Sequence, residues 1–142
     1  MVRIIDEGSH FDVPIARVWE LIQLHGDKLS DIHPDAQHPQ AEKVSENQRV
    51  VNYTLEMNGQ KIPVRLRTTM LPPLAQILEH LGGPLAGSQV ISYYTPKGNR
   101  TAVTVVADFE SPMLTPPQLE AAAHQFLDIG FDQDTVYLKR MA

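Results

Sequence analysis

The chain sets one amphipathic helix just behind a first strand, closes with another, and carries strand patterns over most of what lies between. A sheet served by one long helix must wrap around it to bury its apolar face, and this order restricts the fold more than any other feature. In Val13-Pro14-Ile15-Ala16-Arg17-Val18-Trp19-Glu20-Leu21-Ile22, Pro14 is expected at the first helical position, where its missing N–H costs nothing. Ile15, Val18, Trp19 and Ile22 then fall on one stripe. The helix should stop near His25-Gly26, with Gly26 as the residue after the cap. Asp27 should cap a short second helix that runs through Ile32 and ends at Pro34, with residues 35–40 a polar loop. The closing helix is expected over residues 116–139, with Thr115 and Gln118 as a capping box.

Between the helices the clearest local signal is Asn58-Gly59, a two-residue hairpin turn. It predicts Leu55 opposite Ile62, Tyr53 opposite Val64 and Val51 opposite Leu66, and on the other face Glu56 opposite Lys61. Arg65 and Arg67 then lie outward, where water solvates them; with the opposite parity they would be anion anchors facing inward. Residues 2–11 read as the first strand, with Gly8 at a bulge. A second hairpin turns through Pro96-Lys97-Gly98-Asn99, joining residues 90–95 to 101–109, and places Tyr93 rather than Tyr94 inward. Residues 74–81 have helical spacing but are short for a helix and are read as a strand.

With 142 residues, 42% of them apolar, the chain is expected to form one domain over residues 1–142 with a real core. A formal net charge of -5 opposes binding to nucleic-acid phosphates. The lack of cysteine removes thiol catalysis and thiolate metal sites. No stretch has the roughly 20 apolar residues of a membrane span, and the first residues do not read as a signal peptide, so a cytoplasmic protein without integral membrane contact is expected. Homodimerisation is left open.

Several segments resemble a known superfamily: Phe11-Asp12-Val13-Pro14-Ile15-Ala16-Arg17-Val18-Trp19, then Ile32-His33-Pro34, then Gly82-Gly83-Pro84-Leu85-Ala86-Gly87 with Ile91-Ser92-Tyr93-Tyr94, and Gly98-Asn99-Arg100-Thr101-Ala102-Val103. They are similar to the polyketide cyclase/dehydrase and lipid-transport proteins of the SRPBCC superfamily, which includes the START domains and the birch pollen allergen. The resemblance implies an α+β helix-grip fold. Six to seven curved antiparallel strands would wrap a long C-terminal helix, with two short helices after the first strand and a hydrophobic cavity inside. It also implies a spread of activities, from carriers to cyclases, and its motifs are turns and caps rather than a catalytic signature.

The leading expectation is a small hydrophobic or aromatic ligand held between sheet and helix, without a cofactor. Its lining is expected from Tyr53, Leu55, Val64, Leu66, Met70, Tyr93, Val103 and Val105 on the sheet and Phe126 and Leu127 on the last helix, with His33 and His124 as polar neighbours. A cyclase or aromatase in the same cavity, with His33, Tyr53, Tyr93 or His124 moving protons, is the first alternative. An interaction module with a vestigial cavity is the second. Asp31-Ile32-His33-Pro34-Asp35-Ala36-Gln37-His38 collects two imidazoles and two carboxylates, but Pro34 breaks its geometry, and no metal is expected there. The glycines of residues 82–87 lack the Lys-Ser or Lys-Thr of a phosphate loop and read as turns, and no serine sits in a nucleophile elbow. In the last helix Ala123, Leu127, Phe131, Asp134 and Leu138 share a side, and Gly130 there marks either a kink or room for something beneath it.

Overall fold

The pairing expected around residues 58–59 is the pairing adopted: Leu55 faces Ile62, Tyr53 faces Val64, Val51 faces Leu66 and Glu56 faces Lys61. The computed structural model describes residues 1–57 and 59–141. Asn58 of the expected turn therefore lies outside the described residues, while Gly59 adopts φ 76°. The elements are β1 (Val2–Phe11), α1 (Ile15–Gln23), α2 (Leu29–Ile32), β2 (Ala36–Ser45), β3 (Gln48–Met57), β4 (Gln60–Leu71), β5 (Ala75–Gly82), β6 (Gln89–Lys97), β7 (Arg100–Phe109) and α3 (Pro116–Met141). Among the described residues seven antiparallel strands make one sheet in the order β1-β7-β6-β5-β4-β3-β2. With the long closing helix and two short ones, this is the helix-grip fold.

Several local expectations need correction. Residues 36–40 are not a loop but the start of β2, which pairs with β3 through a bulge where His38 takes φ 54°. An edge strand with one paired side can be polar, so its composition hides it. Pro14 stands one residue before α1, as its N-cap, with extended ψ of 156°. Gly26 is not a left-handed cap; a Cβ there would meet the Ala41 Cβ at 3.3 Å, so its role is close packing against β2. Asp27 does not cap α2, and its carboxylate instead accepts the Ala41 N–H at 3.2 Å. The second hairpin tightens to Gly98-Asn99, with Lys97 opposite Arg100 and Gly98 at φ 67°. That register sets Tyr94, not Tyr93, opposite inward Val103: Tyr94 is 5% exposed and Tyr93 41%.

Other expectations hold. Residues 75–82 are a strand, and the register of β1 against β7 shifts around Gly8, between Asp6 and Ser9. The Thr115 N–H donates to Gln118 Oε1 at 2.9 Å and the Gln118 N–H to Thr115 Oγ1 at 3.4 Å, closing the capping box. Arg67 lies outward and makes a two-bonded fork with Glu79 on β5, at 3.0 and 2.9 Å.

The interior is divided. Phe11, Val18, Leu21, Ile22, Ile32, Met70, Tyr94, Val103 and Leu138 form one buried cluster where α1 and the end of α3 meet the sheet. Leu85, Val90, Ala107, Phe109, Leu119 and Ala123 form a second under the start of α3. Leu29, Ala36 and Val51 make a third beneath α2. Trp19 fixes α1 to the β4–β5 turn by donating Nε1–H to the Pro73 carbonyl at 3.0 Å, with its ring edge-on to Tyr94.

Arg49 closes the other side of α1. Buried on the inner face of β3, it donates to the Gln23 carbonyl at 3.1 Å and also to the Ile22 carbonyl, at the end of the helix where carbonyls lack helical partners. A guanidinium there also complements the negative end of the helix dipole. Replacing Arg49 by Met should cost about 2 kcal/mol, the scale of hydrogen bonds to a charged group. Urea denaturation measures this, and an unchanged midpoint would show that the two bonds contribute nothing net.

Candidate functional site

Strand alternation carries the inner face across the sheet. Tyr53 and Leu55 on β3, Val64, Leu66 and Met70 on β4, and Val103 and Val105 on β7 all lie on it, with Phe126 and Leu127 opposite on α3. Val64, Leu66, Met70 and Val103 are fully buried, whereas Tyr53, Leu55, Val105, Phe126 and Leu127 are only half-buried. Inward side chains that remain partly wet mark where sheet and helix do not close on each other. Gly130 lies one turn beyond Leu127 on the same side of α3, and a Cβ built on it would meet nothing within 4 Å. The position next to this glycine is therefore unfilled by other side chains.

Two candidates from the sequence fall outside this space. Tyr93 points to the outer face, and His124 is exposed on the flank of α3. The structure adds polar groups that sequence reasoning missed. Gln76 on β5 donates Nε2–H to the Tyr94 hydroxyl at 2.8 Å. Two residues before the end of that strand, His80 is opposite Leu66, 5% exposed, with its ring edge-on to Phe126 at 5.0 Å. His80 Nε2 is buried without a hydrogen-bond partner among the described residues. The signal for these residues was the parity of β5, which the proline-rich β4–β5 connection leaves undetermined in the sequence.

His33 is at the mouth of the fold, as the C-cap of α2, and it is not alone. Its Nε2 lies 3.1 Å from His25 Nε2 and 3.1 Å from Asp134 Oδ1, and His25 Nε2 lies 3.1 Å from the same Asp134 oxygen. His25 follows α1 and Asp134 belongs to α3, so three helices converge on this triangle. The other members of the 31–38 segment do not take part; Asp31 and Pro34 instead help line a neighbouring cleft of about 210 Å³ with Gln133 and Arg140.

Titration at these groups follows their surroundings. Burial pushes the Asp134 carboxyl up, but hydrogen bonds and charge from His25 and His33 outweigh it and hold the group down at about 2. Burial pushes His33 down, and the bond and charge of Asp134, helped by Gln133, raise it above its ordinary value. Burial lifts the Tyr53 phenol to about 12 and the Tyr94 phenol further, so both stay protonated donors. Burial lowers His80 to about 4, so it is neutral at pH 7.

No family model matches the sequence, and no curated protein matches it. Solved structures do. A START superfamily protein from Mycobacterium smegmatis superposes with a TM-score of 0.77 at 13% identity, covering 99% of this chain and 98% of the other. Ara h 8.0201 gives 0.76 at 17% identity over 98% of each chain. The Zhui aromatase/cyclase from Streptomyces sp. R1128 gives 0.72 at 16% identity, covering 96% of this chain and 89% of its own. These likenesses show the fold. Among the described residues no helix is long and apolar enough to cross a membrane.

His80 supplies a pH test. Its folded pKa lies below the unfolded value of about 6.5, so its neutral form favours the native state and the full contribution is present above pH 6.5. As pH falls from 6.5 towards 4 that contribution is lost, on the order of 3 kcal/mol. Denaturation of the wild type and of His80→Gln across this window should show a gap between them that narrows or reverses as pH falls. Parallel curves would mean His80 does not titrate as a buried neutral imidazole.

Proposed function

We propose that the protein binds a small hydrophobic or amphipathic molecule between the middle of the sheet and α3. Two observations carry this reading: Tyr53, Leu55, Val105, Phe126 and Leu127 face inward yet stay half-buried, and a Cβ built on Gly130 would meet nothing within 4 Å. Apolar walls supply most of the affinity in such sites, and a few convergent polar atoms orient the guest. The unpartnered Nε2 of His80 and the hydroxyl of Tyr53 are suited to that second part, serving a ligand hydroxyl, carbonyl or phenol. The matching folds include an aromatase/cyclase and a START superfamily protein, which is consistent with a ligand-handling use of this architecture.

A catalytic use of the space has one observation in its favour, the grouping of His25, His33 and Asp134 close enough to Tyr94 for Asp134 to raise its pKa. That grouping supports proton transfer to a bound molecule as a second reading, with His33 in the role foreseen for it and Tyr93 and His124 excluded by their outward positions.

Gly130 offers a direct test with the apolar fluorophore anilinonaphthalene sulfonate. The wild type should bind it saturably. Gly130→Ala should bind it equally and gain up to about 1 kcal/mol of stability, because alanine favours the helix and nothing stands in its way. Gly130→Phe should fill the space and weaken probe binding at least about tenfold, the loss expected when a ligand's apolar contacts are displaced. Absence of saturable binding by the wild type, or full binding by Gly130→Phe, rejects the reading.

A further inference from the structure

We propose that His25, His33 and Asp134 form a site for one divalent first-row transition-metal ion that ties α1, α2 and α3 together. The site does not depend on a ligand in the apolar space, and neither proposal's failure touches the other.

Consider first where the ring protons are. His25 Nδ1 lies 2.8 Å from the Leu21 carbonyl, which can only accept, so Nδ1 carries the hydrogen. His33 Nδ1 lies 2.6 Å from Gln133 Oε1, which likewise accepts. In both neutral rings the Nε2 lone pair is thereby left bare, and the two lone pairs point at each other and at Asp134 Oδ1. Three electron-rich atoms at mutual distances of 3.1 Å repel unless something positive lies among them. Only a proton or a metal cation answers that need.

The dimensions suit the metal. Ligand nitrogens and oxygens lie about 2.1 Å from such an ion, which places donors at right angles about 3.0 Å apart and tetrahedral donors about 3.4 Å apart. A triangle with 3.1 Å edges lies between them and close to the facial arrangement. Two imidazoles and one carboxylate are a donor set that selects transition metals over calcium or magnesium, and they leave coordination positions open to water or another ligand. The hydrogen bonds from Nδ1 to Leu21 and Gln133 fix ring orientation and tautomer, the support that metal-bound histidines characteristically have. The donors are partly accessible, with side-chain exposures of 22%, 19% and 23%, so an ion can enter. Gln133 also lines the cleft between α2 and α3, which gives a route from solvent.

The test uses the full chain without a histidine tag, stripped with chelator and titrated with Zn²⁺ and Co²⁺ by calorimetry. One ion should bind per chain and raise the melting temperature, since it binds the native state alone. Asp134→Asn and His33→Gln should each abolish this uptake. Gln133→Ala should weaken it at least about tenfold at unchanged stoichiometry, because Gln133 positions His33. Nitrogen-15 NMR of the wild type provides a readout independent of any variant's folding. Added Zn²⁺ should shift His25 and His33 Nε2 together and leave the exposed His124 unmoved. If those resonances respond to pH but not to metal, a proton alone fills the triangle and the proposal fails. Uptake that survives Asp134→Asn would place the ion elsewhere and overturn it equally.

Discussion

One helix cannot cover seven strands. Neighbouring strands lie about 4.8 Å apart, so a seven-stranded sheet is roughly 29 Å wide, whereas a helix with its side chains is about 10–12 Å across. Curving the sheet around α3 reduces the mismatch, and α1 and α2 fill one end of what remains. The interior consequently splits into clusters: Leu85, Phe109 and Leu119 under the start of α3, and Phe11, Val18, Tyr94 and Leu138 where its end meets α1. Between them the inward residues are only half-covered, and Gly130 faces open space. The incomplete cover of these inward residues is therefore a consequence of element count.

Polar groups occupy that interior in three different ways. Arg49 and the Gln76–Tyr94 pair spend their hydrogen bonds inside the protein, on helix-end carbonyls or on each other. Among the described residues His80 Nε2 has no such partner, nor does the Nε of Arg49, and a buried polar atom left unpaired costs about 1–3 kcal/mol. The His25–His33–Asp134 triangle is a third case, in which both Nδ1 atoms have partners and both Nε2 atoms meet one Asp134 carboxylate oxygen. The triangle and the buried Tyr94 are coupled electrostatically, since the charge of Asp134 raises the Tyr94 phenol.

How far the sequence reached varies with how local each determinant is. The β3–β4 register was legible because a two-residue turn, an apolar pattern and the Glu56–Lys61 pairing all agree within fifteen residues. The capping box at Thr115 and Gln118 was legible for the same reason. Tyr93 was assigned to the wrong face because one residue of loop length reverses every side chain on a strand, and Pro96 and Lys97 belong to the ladder rather than the turn. Strand β2 was read in part as a loop, since its Gln, His, Pro, Glu and Lys residues hydrate one side of an edge strand. The proposed caps at Gly26 and Asp27 failed because tertiary partners on β2, in both cases Ala41, took precedence over helix-end chemistry.

By itself the sequence determined the helix positions, the β3–β4 pairing and the apolar faces of those two strands, all of which depend on residues near one another along the chain. Asp134 already lay on the inner stripe of the last helix, and His33 at the end of the second, but nothing local connected them. His25 and Asp134 are separated by 109 positions, and their meeting requires the sheet to curl, α3 to cross it and α2 to turn inward over its end. Only the tertiary structure could also show that His80 is buried and unpaired, since that depends on the ring of Phe126 from another element. Pattern and turn chemistry act over a few residues; distances between side chains on different elements are set by how the whole interior packs.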